Sequence, residues 1–454
     1  MPSASKLSTF VGLSCSLVGL VAWGSGSASP AYAAGTASFA TAMQAGEVAQ
    51  SSAHPPPGLT ETPGQADAFA NSVGVNTWFT YSTEAYTTQF SAISKLLMDS
   101  GIKHIRDSGP TYDQVYLRKM ALLSSHGIHH TVGMNVHSTP AQVVTALNAA
   151  GPANIDFIEP QNEYDTYARQ DPNWAAHIIA EQKMIWKTVR SHPAFNGVTV
   201  LGPGFASLGA YATVGPLDAY EDAGSLHTGS CNRNPGTSSY GQNLAGATRH
   251  VRASTTYKPI LTTEVAYDDN SNLTHVCTTP ESTVARYDPR LIALHWNAGE
   301  PRTYIFQFAD DPSYGNPFAY EGLVTTQGAP KPQYTAIQSM LALVSNPGPA
   351  FRPTALHYAV SGQTQNIEHT LLQKRDGTYV MMLWIEQPRL KTIYDPTVVP
   401  VPPQRVSLSI RGMAAVTDYT YDTSTWKISP QNLTVEAGTV NLTVTDAISF
   451  VEIR

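Results

Sequence analysis

From about residue 68 the chain alternates between two hydrophobic patterns. Short apolar runs predict strands, and apolar positions three and four apart predict helices. The run "SVGVNTW" ends a strand near Asn76, and "FSAISKLLMDSG" follows with Phe90, Ile93, Leu96 and Leu97 on one helical face and Gly101 as its stop. "IKHIRDSG" is a second strand, and "YLRKMALLSSHG" repeats the helix with Leu117, Met120, Ala121 and a terminal Gly127. Further strands follow at "IHHTVGMNV", "NIDFIEPQNE", "VTVLGPG", "AGSLHTG", "KPILTTE" and "RTYIFQFADD", with helices at "WAAHIIAEQKMIWKTVR" and "RLIALHW". Eight strands alternating with helical or loop segments over roughly 240 residues predict an α/β fold, a (β/α)8 TIM barrel. An open doubly wound sheet is the competing arrangement. Its first strand usually leads into a Gly-rich phosphate loop, and "GVNTWFTYS" stands there instead.

After "KPQYTAIQSMLALVSNPGP" the helical period disappears. "KRDGTYV" puts Asp376 and Gly377 at a hairpin turn, "RVSLSI" alternates Val406, Leu408 and Ile410, and "ISFVEIR" closes the set. Residues 348–454 therefore predict a C-terminal antiparallel β-sandwich stacked on a barrel of residues 68–347. Residues 35–67, with "SSAHPPPGLTETPGQ", have no period and read as a tether. The first 34 residues read as a signal peptide: Lys6 in a polar start, "FVGLSCSLVGLVAW" as the apolar core, and Ala31-Tyr32-Ala33 as the cleavage site. Cys15 lies inside that core rather than at its end, which argues against a lipoprotein. The expected product is a secreted, extracellular protein.

Composition narrows the partners. The chain is 13% charged and 42% hydrophobic with a formal charge of −7, and it has no basic block to neutralise phosphates, so no nucleic acid partner is expected. No stretch after the leader approaches a membrane span, so no membrane insertion is expected. Export leaves Cys231 and Cys277 as an even pair in an oxidising compartment, for which a disulfide is the default. Two free buried thiols are the alternative. A catalytic cysteine is disfavoured because neither residue has a helix start or basic neighbours to lower its pKa.

Reacting groups of such a barrel project from the C-terminal ends of its strands. Those positions hold Asn76, Arg106 with Asp107, Asn135, Asn162 with Glu163, Pro203, His227, Glu264 and Gln307. Glu163 and Glu264 are carboxylates that end apolar runs, from the fourth and seventh strands. Two carboxylates across a cleft suit glycosidic bond cleavage, in which a leaving oxygen is protonated while positive charge develops at the anomeric carbon. At a spacing of about 5 Å one of them attacks that carbon and configuration is retained.

"PQNEYD" after strand four, "ILTTEVAYD" on strand seven, "GIKHIRD" on strand two and "SLHTG" on strand six resemble clan A of the glycoside hydrolases. "GAPKPQYTAI" and the sandwich behind it are similar to that clan's families 5 and 39. The resemblance implies that Glu163 is the general acid and later the base, Asn162 holds the sugar 2-hydroxyl, and Glu264 is the nucleophile. Arg106 resembles the arginine beside the nucleophile, and His227 the strand-six histidine. Gly229 stands where a tyrosine is often found, with Tyr304 or Tyr267 as substitute partners of the nucleophile. Trp78 stands where related sequences often carry histidine. The implied chemistry uses neither metal nor organic cofactor, and its partner is a polysaccharide or oligosaccharide.

Other readings compete. A structural salt bridge is the alternative for both glutamates, and an ion pair at the barrel mouth for Arg106. Glu159 lies further down its strand and is expected to satisfy a buried partner. Among the aromatic residues, Trp78 and Tyr314 are the expected sugar platforms, the others being packing. His126, His129, His130 and His137 alternate faces without an acid to complete a metal site. "YDDNSN" lacks the glycine and distal glutamate of a calcium loop. "NLT" occurs at Asn272, Asn432 and Asn441, which matters only in a host that glycosylates. A carbohydrate-binding adhesin that has lost turnover is the rival function. A serine esterase finds no G-x-S-x-G elbow.

Overall fold

The computed structural model describes residues 58–80, 85–107, 114–270, 277–312, 319–412 and 414–454. The expected signal peptide, the tether up to residue 57, and Tyr314 lie outside the described residues. Two short strands, β1 (Leu59–Glu61) and β2 (Gly64–Gln65), precede eight parallel ones. These are β3 (Val73–Thr77), β4 (His104–Asp107), β5 (His129–Gly133), β6 (Ile155–Glu159), β7 (Thr199–Val200), β8 (Gly224–Gly229), β9 (Ile260–Ala266) and β10 (Thr303–Ile305). Their order is β7-β6-β5-β4-β3-β10-β9-β8. The free edges of β7 and β8 meet just beyond β7: Leu201 bridges Ala223, Asp222 N donates to Val200 O at 2.7 Å, and Gly202 N donates to Ala223 O at 2.8 Å. The sheet thereby closes into a (β/α)8 barrel.

Every residue of β3 is buried, as a strand flanked by barrel interior and outer helices requires. The helix Phe90–Asp99 turns Ile93 and Leu97 onto that core. Thr139 and Gln142 form a capping box that starts the helix Pro140–Ala150, satisfying amide groups that the first turn leaves unpaired.

The C-terminal strands are β11 (Leu356–Gly362), β12 (Ile367–Gln373), β13 (Tyr379–Ile385), β14 (Leu390–Thr392), β15 (Asp395–Val398), β16 (Gln404–Ile410), β17 (Val416–Tyr421), β18 (Ile428–Leu433), β19 (Thr439–Val444) and β20 (Ser449–Ile453). They build a β-sandwich from sheets of order β1-β11-β16-β19 and β18-β17-β20-β13-β12-β2, with β14 and β15 as a separate ribbon. The tether expected over residues 35–67 therefore stops short of residue 59. β1 pairs antiparallel with β11 and β2 parallel with β12, and Leu59 packs on the sandwich core. Pairing satisfies the amides of two sheet edges that would otherwise stay open. Composition hid this, because Pro and Gly around these strands mask runs of two and three residues.

Barrel and sandwich share one apolar cluster, in which Trp384 and Phe450 meet Ile337 and Met340 of the helix Pro332–Val344. Arg290 is fully buried at this seam, its Nη2 2.8 Å from Glu386 Oε2. Burial of a guanidinium requires such a partner. Cys231, beyond β8, and Cys277, beyond β9, form a disulfide. The bond ties two of the loops at the C-terminal face of the barrel.

Candidate active site

Glu163 is not the last residue of its strand. β6 stops at Glu159, and Pro160, which has no N–H to pair, follows it. Glu163 instead begins the turn before a short 3-10 helix, Tyr164–Tyr167, with φ 44° and ψ 44°. A left-handed backbone costs a non-glycine residue on the order of 1–3 kcal/mol, so surrounding bonds must hold it. Glu163 N donates to Gly204 O at 3.1 Å, while Glu163 O accepts from Thr166 N at 3.0 Å and Thr166 Oγ1 at 2.7 Å.

Glu264 is placed by regular structure. It lies inside β9, all but the last residue of which is buried, and stands in register with His227 of β8. Arg106 of β4 reaches across the barrel. Its Nη1 donates to Glu264 Oε1 at 2.6 Å, its Nε to Glu159 Oε1 at 2.6 Å, and its Nη2 to Asn162 Oδ1 at 2.7 Å. Glu159 thus has the buried partner expected of it, and that partner is Arg106. Burial opposes the charge on this guanidinium, but Glu159 and Glu264 outweigh it and raise its pKa. Asn162 Oδ1 is occupied by Arg106, leaving the amide N–H groups of Asn162 to donate elsewhere.

His227 connects the two acids. Its Nδ1 lies 2.9 Å from Glu163 Oε1 and 3.7 Å from Glu264 Oε2. Its Nε2 is buried without a hydrogen-bond partner among the described residues, against the backbone of Gly204. A Cβ at Gly204 would come within 2.4 Å of that nitrogen, so only glycine lets the imidazole sit there. Burial, followed by repulsion from Glu264, raises the pKa of Glu163 despite the opposing His227 bond. Burial pushes His227 down, but the charges of Glu264 and Glu163 win and raise it. One carboxylate oxygen from each glutamate and one nitrogen of His227 all lie within 4.8 Å of one another.

The remaining expected site residues scatter. Trp78 is half-buried beyond β3, edge-on to Phe306 with ring centroids 5.8 Å apart. Asn135 is exposed and heads a turn, its carbonyl accepting from Ser138 N at 2.8 Å. Gln307 is buried, with Oε1 3.5 Å from Tyr86 OH. Tyr304 is fully buried and bonds Thr131 Oγ1 at 2.7 Å, so it does not line the cleft. Tyr267 donates to Arg233 O at 2.8 Å. Neither tyrosine replaces the partner missing at Gly229, because each hydroxyl is committed elsewhere. The space over Gly229 is filled by the ring of Tyr240, which a Cβ there would approach to 3.0 Å; the Tyr240 hydroxyl lies 3.2 Å from Ala206 O.

Sequence reasoning named Asp107 at a strand end but assigned no role to it, and it missed the other supporting residues. Asp107 accepts from Thr77 Oγ1, Phe79 N and Thr80 Oγ1 at 2.8–2.9 Å, fixing the loop that carries Trp78. Glu181, on the helix Trp174–Ser191, accepts from Gln161 N at 3.2 Å beneath the Asn162 turn, and burial pushes its pKa up to about 8. Asp165 bonds the amides of Ala206 and Ser207. A polar residue two positions after the Asn162-Glu163 pair was the available signal, although its partners 41 and 42 positions away were not.

Glu163, His227 and Glu264 are also the one group of potential metal ligands found among the described residues. The Arg106 cation 2.6 Å from Glu264 competes with any second positive charge, so the donor set fits an ion-paired acid better than a divalent metal. His126, His129, His130 and His137 do not form a ligand group. His130 bonds Ser124 Oγ at 2.8 Å, and His129 lies 3.6 Å from Asp156.

No protein-family model matches the sequence, and no curated protein matches it. Solved structures do. A family 39 glycoside hydrolase from Bacteroides cellulosilyticus WH2 is 13% identical, with a TM-score of 0.56 over 85% of this chain and 82% of that one. A glucosidase from Croceicoccus marinus is 10% identical, with a TM-score of 0.57 over 87% and 96% of the two chains. A GH51 arabinofuranosidase from Xanthomonas axonopodis pv. citri is 11% identical, with a TM-score of 0.54 over 88% and 98%. At these identities the likeness is one of architecture, and the chain has the fold of the clan A glycoside hydrolases.

Proposed function

We propose that the protein is a secreted retaining glycoside hydrolase that cleaves β-glycosidic bonds in a polysaccharide or oligosaccharide. The observation that carries this reading is the pair of buried glutamates, with carboxylate oxygens within 4.8 Å in unequal electrostatic surroundings. That spacing is too short to fit both a sugar ring and an attacking water between the acids, and it favours direct attack over inversion.

In the first step Glu264, ion-paired with Arg106, attacks the anomeric carbon while Glu163 gives its proton to the departing oxygen. Burial and the neighbouring charge of Glu264 favour the protonated form of Glu163 before attack. Once the glycosyl ester forms, the Glu264 charge is gone, and Glu163 becomes a stronger acid suited to return as base. In the second step it activates water against the ester. Asn162, its carbonyl taken by Arg106, offers N–H groups to the sugar 2-hydroxyl. Trp78 provides an aromatic face at the rim, with Asn135 and Gln307 as further wall residues. Secretion is supported by the leader-like first 34 residues and by the Cys231–Cys277 disulfide.

The test is a screen of β-linked polysaccharides for new reducing ends, repeated with Glu264→Ala. Turnover should fall by roughly 10⁵-fold, as when other covalent nucleophiles are removed. Azide or formate should partly restore it by occupying the vacated space. Binding without new ends on every substrate favours the carbohydrate-binding alternative, and undiminished turnover in Glu264→Ala refutes the assignment.

A further inference from the structure

The geometry points to Asp165 as a positioning residue that holds Glu163 in its left-handed conformation, an inference that rests on the acid/base role proposed above. The Asp165 carboxylate accepts from Ala206 N at 3.1 Å with Oδ1 and from Ser207 N at 2.9 Å with Oδ2. Two residues back, Glu163 N donates to Gly204 O at 3.1 Å. Three bonds therefore join the turn that carries the acid to the loop beyond β7. That loop is fixed in turn. Gly204 abuts the buried imidazole of His227, and the carbonyl of Ala206 lies 3.2 Å from Tyr240 OH.

Asp165 has no ion pair among the described residues; burial opposes its charge, and the bonds from Ser207 N and Ala206 N favour it more than the charge of His227 does. Two converging N–H groups explain it, because only a carboxylate offers both an acceptor and its twin on one side chain. Asparagine in the same place keeps one oxygen and turns an NH₂ toward the other amide. With the clamp loosened, Glu163 relaxes to the common negative φ, and its carboxyl leaves the His227 contact at 2.9 Å. Attack by Glu264, held by β9 and Arg106, is untouched. The loss then falls on proton delivery alone.

Leaving groups separate these steps. A 2,4-dinitrophenyl glycoside departs without a proton and a phenyl glycoside does not. Asp165→Ala, Asp165→Asn and Glu163→Ala are compared on both glycosides of a sugar that the wild type hydrolyses. Asp165→Ala is expected to lose about 30-fold or more in kcat/KM on the phenyl glycoside and less than about 3-fold on the dinitrophenyl one, a part of the roughly 10²–10⁴-fold that general-acid catalysis contributes. Asp165→Asn should fall between it and the wild type, and Glu163→Ala should show the same selectivity more strongly. Equal losses of Asp165→Ala on both glycosides, beside a selective Glu163→Ala, overturn the clamp alone; an unselective Glu163→Ala overturns the acid assignment itself. A crystal structure of Asp165→Ala reads the same question without turnover: Glu163 should leave the positive-φ region, and an unchanged φ with the His227 contact intact overturns the proposal.

Discussion

Glu264 sits inside a regular strand, its direction set by register with β8 and its charge matched by a guanidinium 2.6 Å away. Glu163 lies beyond the end of its strand, on a backbone that left-handed geometry penalises, facing an imidazole whose Nδ1 is 2.9 Å from its Oε1. The two residues are nearly equally buried, Glu264 at 6% and Glu163 at 7% exposure, so burial does not distinguish them. The neighbours do. A guanidinium lies against one acid, whereas the other faces an imidazole, the surroundings that the proposed acid/base role asks for. Sheet geometry gives the rigid member of the pair, and a clamped turn gives the tunable one.

The sharpest break in this asymmetry is Glu163→Gln. It should cost about 10²–10⁴ in kcat/KM on substrates with poor leaving groups. The pKa of Glu163 is raised, so wild-type activity falls as pH climbs through that value. The variant should lack this basic limb in a kcat/KM–pH profile. Retention of the limb would assign it to another group.

Next in size is Arg106→Met, which strands Glu159 and Glu264 without their cation. Unfolding by denaturant at pH 7 should show a loss of about 3–5 kcal/mol, the cost of breaking a buried ion pair on one side. A loss under about 1 kcal/mol at pH 7 would mean that Arg106 is not what holds the nucleophile side.

The smallest effect sharpens the other flank. The pKa of Glu181 rises from its ordinary 4.5 to about 8 on burial. A raised value means that its contribution to stability is full below pH 4.5 and is lost as pH rises through about 8. Glu181→Gln removes that titration, so the Tm of the variant should gain on the wild type between pH 5 and 8. The expected gain is about 2–4 °C for each kcal/mol recovered. A Tm difference that does not change with pH contradicts a buried, neutral Glu181 beneath the Asn162 turn.

What was legible in the sequence follows the range of the interactions. Apolar runs ending in "QNE" and "TTE" marked both acids, and the alternation of strand and helix marked the barrel, because each signal is contained within a dozen residues. Pro160 already marked the end of β6, but the apolar run before it and the polar pair after it read as one segment. Strands β1 and β2 were absorbed into a tether, since what makes them strands is pairing with β11 and β12, roughly 300 positions away. The same limit hid Tyr240 over Gly229 and placed Tyr304 in the cleft, when its hydroxyl in fact belongs to Thr131.

The central claim is that Glu264 forms a bond to sugar. A 2-deoxy-2-fluoro glycoside with a good leaving group slows the second step more than the first and should trap that bond, to be located by peptide mass spectrometry. One fluoroglycosyl unit on the peptide containing Glu264, and none in Glu264→Ala, is the predicted result. A label on any other residue, or hydrolysis with inversion and no label at all, would contradict the account.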